Sequence, residues 1–197
     1  MRVLHKGLGW LALLTAALLS MPVYAQTSAA PADTCQPSAD SIQSRAGQEW
    51  TVLFGWRFAN PADGVAAYRK LVAGMSPWAD WDPPVAQTLA IGTRFAMAMA
   101  PDQPATSPGG FGTFDHIAAV RDVREDLAVR ADWKPKVDHV VIFEVVRPLP
   151  VLVGPIGPQV DPTVCEILPG RWSQFQMQVA PADRASYLKV VTSYTIQ

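Results

Sequence analysis

Residues 137–146 carry the strongest strand signal in the chain: from Val140 onward the segment is apolar on both faces apart from Glu144, the pattern of a strand central in its sheet. A carboxylate in a buried strand needs a partner, and Arg94 or Arg147 can serve. Three other stretches alternate with a period of two. Trp50, Val52, Phe54 and Trp56 alternate with Thr51, Leu53, Gly55 and Arg57. Residues 90–99 set Ile91, Thr93, Phe95, Met97 and Met99 on one face and Arg94 on the other. Residues 171–179 set Ser173, Phe175, Met177 and Val179 against Trp172, Gln174, Gln176 and Gln178. Each predicts a strand, and the β-branched and aromatic content of residues 186–196 predicts another.

Helical spacing occurs twice. Asn60 offers an N-cap before Pro61, and Val65, Tyr68, Val72 and Met75 recur at helical intervals, predicting a helix to about Gly74. Thr113 can cap a second through Asp115 and His116, with Ile117, Val120, Val123 or Arg124, and Leu127 along one side to about Ala131. Arg121, Asp122, Arg124, Glu125, Asp126 and Arg130 then form its solvated face. Between strands, Trp78 and Trp81 sit in a turn-rich loop, where aromatics cap a core more often than they stack on a ligand. Residues 147–158 hold four prolines and two glycines, which predicts an extended, irregular wall and excludes a helix or a central strand. About six strands and two clear helices, in runs that do not alternate as parallel βαβ units, make the chain α+β with a largely antiparallel core.

The N-terminus changes the picture. Arg2, His5 and Lys6 precede an apolar run over residues 8–19, and Val23, Tyr24 and Ala25 supply a cleavage site: a signal peptide over residues 1–25. The run is too short to span about 30 Å of hydrocarbon as a retained anchor. Residues 26–48, rich in Ala, Ser, Gln and Pro, read as a flexible segment, and residues 49–197 as a single globular domain. The whole chain carries a net charge of −1, and about −3 once Arg2 and Lys6 leave, so nothing draws nucleic acid or, after cleavage, a membrane. Export places Cys35 and Cys165 in an oxidising compartment, periplasmic or extracellular, which favours a disulfide over two buried thiols.

Several chemistries lack their residues. There is no Gly-x-Ser-x-Gly elbow, and His5, His116 and His139 have no metal-ligand spacing. Asp115 and His116, as sequence neighbours at a helix start, are expected to point apart. Gly109, Gly110 and Gly112 around Phe111 permit close approach of another surface but form no phosphate loop of the lysine-bearing kind.

The run Arg147-Pro-Leu-Pro-Val-Leu-Val-Gly-Pro-Ile-Gly-Pro158, followed by a strand bearing Gln174, resembles the C-terminal part of secreted NAD glycohydrolases of the tuberculosis necrotizing toxin type. The resemblance extends from about Ile91 to the end and is best over residues 147–176. It implies an ADP-ribosyltransferase-like fold with a cleft between two small packed sheets and two or three helices. The implied activity is cleavage of NAD or NADP as substrate, with no further cofactor. Gln174 falls at the family's functional glutamine, and Arg94 at an arginine that contacts the dinucleotide's phosphates. A second family arginine has no counterpart: its window holds Thr113, Phe114 and His116. Phe95, Phe111 or Trp172 would stack on nicotinamide, and Gln176, where a transferase carries glutamate, favours hydrolysis over transfer. A cognate immunity protein is the implied partner.

Two accounts of different class follow: a secreted NAD(P) glycohydrolase, and a non-catalytic periplasmic or secreted module that binds a protein through Trp50, Trp56, Trp78, Trp81 and Trp172. Convergence of Arg94, Phe111 and Gln174 on one cleft favours the first; gathering of the tryptophans on an open surface favours the second.

Overall fold

The computed structural model describes residues 35–74 and 76–197, so the expected signal peptide, the start of the segment after it, and Met75 lie outside the described residues. The strand expected over residues 137–146 is β4 (His139–Val145), and it is central. β2 (Arg94–Met99) and β9 (Leu188–Thr195) flank it, both antiparallel. Val140, Val141, Phe143 and Val145 are buried, which accounts for apolar residues on both faces. Arg94 stands opposite Glu144 in the register and its Nε donates to Glu144 Oε2 across 2.9 Å, so the strand's carboxylate is matched across the ladder.

A four-stranded antiparallel sheet runs in the order β1 (Val85–Leu89), β5 (Leu149–Pro155), β8 (Ser173–Met177) and β3 (Phe111–Gly112). β5 corrects the sequence reading, which excluded a central strand from the proline-rich run. Pro150 and Pro155 fall at the two ends of β5, and Val151, Leu152, Val153 and Gly154 between them keep their N–H groups for the ladder. β1 left no pattern because it is an edge strand with four of its five residues exposed. The two sheets pack face to face through Phe95, Met97, Met99, Phe143, Leu149, Val151, Phe175 and Met177, the antiparallel α+β arrangement the chain was expected to form. A third, two-stranded ladder joins β6 (Gln159–Asp161) to β7 (Glu166–Leu168).

The strand read at Trp50 is instead part of a helix, α1 (Arg45–Phe54). Ser44 caps it by accepting from Gly47 N, and Ala46, Trp50 and Phe54 recur every fourth residue on its packed side. The apparent alternation was accidental, for Val52 is 79% exposed and Trp56 72%. Packing therefore begins within the segment expected to be flexible, where Ser44, Ala46 and Gly47 are buried. α2 (Pro61–Ala73) forms as read, with Asn60 Oδ1 accepting from Ala62 N. Trp81 lies against Trp50, Phe54 and Phe58, so the loop tryptophan does cap the core.

Cys35 and Cys165 form a disulfide that joins the start of this helical layer to the turn between β6 and β7. Glu49 Oε2 also accepts from Ile167 N, tying α1 to β7. Among the described residues no helix is long and apolar enough to cross a membrane. A link closing a loop of 130 residues constrains the unfolded chain strongly. Replacing both cysteines with serine is expected to lower the unfolding free energy by about 2–4 kcal/mol in denaturant melts. An unchanged midpoint would mean that the link contributes nothing to stability.

Candidate functional site

One short segment belongs to both sheets. Phe111 and Gly112 pair with Gln176 and Phe175 of β8, and the next residue, Thr113, exchanges two backbone hydrogen bonds of 2.8 and 3.0 Å with Ala96 of β2. Gly112 is required there. A Cβ would stand 2.5 Å from Phe175 Cζ and 2.7 Å from Phe95 Cδ2, two rings that meet edge to face at 4.8 Å.

Side chains then fix the same joint. Thr113 Oγ1 donates to the Ser173 carbonyl at 2.7 Å and accepts from Asp115 N at 3.0 Å, while Asp115 Oδ2 accepts from both Ser173 N and Ser173 Oγ at 2.9 and 2.8 Å. These bonds settle why the helix expected from Thr113 starts late, as α3 (Val120–Glu125). The groups that would cap its first turn bind β8 instead, and Asp122 caps the shorter helix by accepting from Ala118 N and Ala119 N. Asp115 binds Ser173 while His116 lies beside the Tyr194 ring, with centroids 6.0 Å and planes 29° apart.

Beside this joint opens a cleft of about 370 Å³. Its walls come from residues 96–98 of β2, the glycine segment 109–113, the stretch from α3 to Lys134, and single residues such as Ile156, Gln159 and Gln174. Gln174 follows the anchored Ser173 on β8 and is only 7% exposed. None of the hydrogen bonds among the described residues uses its side-chain amide, which leaves a donor and an acceptor for whatever enters the cleft. Gln159, by contrast, is committed: its Nε2 donates to the Ser76 carbonyl at 2.9 Å.

Of the residues expected at the site, Gln174, Phe111 and Thr113 line this cleft. Thr113 has its hydroxyl engaged by protein, and Phe111, 38% exposed, presents ring surface. The others do not line it. Arg94 is paired with Glu144 on the three-stranded sheet. Phe95 is a core residue, buried against Phe143 and Phe175, because it faces the opposite sheet. Phe114 packs on Phe175 at 5.2 Å, Trp172 packs with the cluster around Ile117, Val123 and Leu127, and Gln176 sits opposite Phe111 in the ladder.

Sequence reasoning missed the wall formed by Val129, Trp133 and Lys134. It was hidden because that stretch was read as helix and the loop after it. Trp133 is 37% exposed, with the Arg130 guanidinium 4.8 Å from its ring centre. Lys134 Nζ donates to the Ala98 carbonyl at 2.8 Å and to Gln103 Oε1 at 3.1 Å. Burial lowers the Lys134 pKa, and the neighbouring Arg124 charge lowers it further.

Four of the five tryptophans expected on a binding surface gather in one region: Trp50, Trp78 and Trp81 line a second cleft, and the Arg57 guanidinium lies over the rings of both Trp56 and Trp81. Of these Trp50 is buried and Trp56 is 72% exposed, so the group is part core and part surface, while Trp172 stands apart on the cluster beside α3.

No family model matches the chain, and no curated protein matches it. Among solved structures it is similar to Tne2, determined in complex with Tni2, with a TM-score of 0.50 and 21% identity over 60% of this chain and 97% of that one. It also matches Tse6 in complex with Tsi6, with a TM-score of 0.39 and 17% identity over 74% of this chain and 93% of that one. A third match is Rhs1-CT in complex with its cognate immunity protein RhsI1, with a TM-score of 0.36 and 16% identity over 57% and 81% of the two chains. The first of these is a likeness of fold.

Two outcomes follow from the geometry. Gly112→Ala is expected to cost about 1–3 kcal/mol of stability or more, because neither ring has room to move; an unchanged melting temperature would refute the steric argument. Arg94→Ala is expected to cost about 1 kcal/mol or less, as an exposed pair does, and to leave ligand affinity at the cleft unchanged by titration calorimetry.

Proposed function

We propose that the cleft binds NAD or NADP and cleaves the nicotinamide glycosidic bond, making the protein an exported NAD(P) glycohydrolase. The observation that carries this reading is the unpartnered amide of Gln174, held in a cleft beside the joint of the two sheets. The resemblance over residues 147–176 puts the functional glutamine of its family at the same residue, and the fold likeness to Tne2 supports it.

The reaction asks little covalent work of the protein. As the bond between the ribose C1′ and the nicotinamide nitrogen breaks, the electron pair leaves with neutral nicotinamide. The ribose passes through an oxocarbenium-like state, and water adds at C1′ and releases a proton to solvent. Holding the ribose, favouring positive charge at C1′ and keeping nicotinamide from recombining are sufficient. Gln174 is suited to holding the ribose, since its oxygen accepts from a hydroxyl of the sugar while its nitrogen donates to the attacking water or to a phosphate. Phe111 offers a ring face for nicotinamide. The disulfide fits an oxidising destination. Tne2 was solved bound to Tni2, and a cognate immunity protein is correspondingly part of this proposal.

The test is nicotinamide release from NAD and NADP by the oxidised chain. Wild type is expected to release it, and Gln174→Ala to do so roughly 100-fold more slowly or worse, with an unchanged melting temperature. A folded wild type that releases none at micromolar enzyme would sink the proposal.

A further inference from the structure

Lys134 is a charged side chain in an unusual setting. It is half-buried, it lines the cleft with Gln174, and its two protein partners, the Ala98 carbonyl and Gln103 Oε1, are both neutral. Among the described residues no carboxylate stands within ion-pair distance of it, although other cations find one: Arg45 with Glu49 and Glu166, Lys70 with Asp80, Arg94 with Glu144, Arg130 with Asp132. Buried charge is normally paired, because a bare ammonium loses hydration that neutral dipoles only partly replace.

The second cation makes the imbalance larger. Arg124 donates to the carbonyls of Val129, Arg130, Lys134 and Pro135 and forms no salt bridge among the described residues. Asp161 acts on it electrostatically from beyond ion-pair distance, and its two oxygens are held by Ala131 N and Thr163 N. Arg124 thus has one distant carboxylate acting on it, and Lys134 has only the like charge of Arg124. Lys134 has three donors and uses two, so one N–H remains.

We propose that Lys134, with Arg124 behind it, is an anion subsite of the cleft that takes a phosphoryl or pyrophosphoryl group of the ligand. The inference rests on reading the cleft as a ligand site, but not on hydrolysis. It assigns the phosphate contact to a residue on the loop after α3 and leaves Arg94 with Glu144. A fixed neutral cradle aims the ammonium while the ligand supplies the missing counter-charge, as a lysine does when it meets phosphate as a point charge.

The experiment is calorimetric titration of the oxidised full chain with inorganic pyrophosphate at low ionic strength, with wild type, Lys134→Gln, Lys134→Arg and Arg94→Ala side by side. Saturable binding is expected in wild type, weakened roughly tenfold or more by Lys134→Gln. Binding should be largely kept by Lys134→Arg and by Arg94→Ala, since Arg94 stands outside the cleft with Glu144. In wild type labelled with nitrogen-15, pyrophosphate is expected to shift the Lys134 ammonium resonance, a readout that survives if the glutamine variant does not fold. Failure of wild type to bind, affinity indifferent to Lys134→Gln, or an unmoved ammonium resonance would each overturn the subsite. Pyrophosphate binding without nicotinamide release would remove the glycohydrolase and keep the subsite. Nicotinamide release with no dependence on Lys134 would do the reverse.

Discussion

Everything at the cleft depends on a single steric fact: two phenylalanine rings, Phe95 from one sheet and Phe175 from the other, meet over a residue with no side chain. Because Gly112 lets the rings close on its backbone, the segment that contains it hydrogen-bonds to β8 on one side and to β2 on the other. The sheets are thereby joined by main chain as well as packed by side chains. A main-chain joint is stiff, since each of its bonds has a fixed direction and little freedom to rotate. That stiffness reaches Gln174 through its neighbour: Ser173 is held at its carbonyl by Thr113 and at its N–H and hydroxyl by Asp115.

Much of this architecture was legible in the chain and some was not, for identifiable reasons. The central strand and the helix after Asn60 followed from local pattern, charge narrowed the partner of Glu144 to Arg94 or Arg147, of which the structure has Arg94, and the expected export pointed to the disulfide. Trp50 misled because residues four apart on a helix and two apart on a strand overlap in a short aromatic-rich window, and only burial separates them. Proline counting misled over residues 147–158 because what matters is whether a given N–H is wanted by the ladder, and at Pro150 and Pro155 the strand is ending. The helix from Thr113 failed because tertiary partners outcompeted a local cap.

The site divides in the same way. Gln174, Phe111 and Thr113 carried a signal in sequence, through a family pattern and a glycine cluster, and they meet at one cleft. Phe95 and Arg94 carried equal signal, yet strand alternation sends one into the core and places the other on the sheet ladder with Glu144. Lys134 and Trp133 carried none. Their place depends on how the chain turns after α3, where Ala128 takes a positive φ and Arg124 gathers the carbonyls of Val129, Arg130, Lys134 and Pro135.

The disulfide and the packing around it also bear on how the chain comes to be folded. Each buried cluster contains residues from beyond position 160 or at it: Val160, Cys165 and Ile167 in the helical layer, Phe175 and Met177 between the sheets, Ile196 beside α3, and Leu168 near Trp78. No buried cluster is complete without the C-terminal residues, so many of its contacts join positions far apart in sequence. Without the last third of the chain, α1 and α2 have each other, through Trp50 and Tyr68, but lack Val160, Cys165 and Ile167 to complete their cluster. Cys35 can meet Cys165 only once both ends of the chain are present, so the link closes after the buried clusters have their last members.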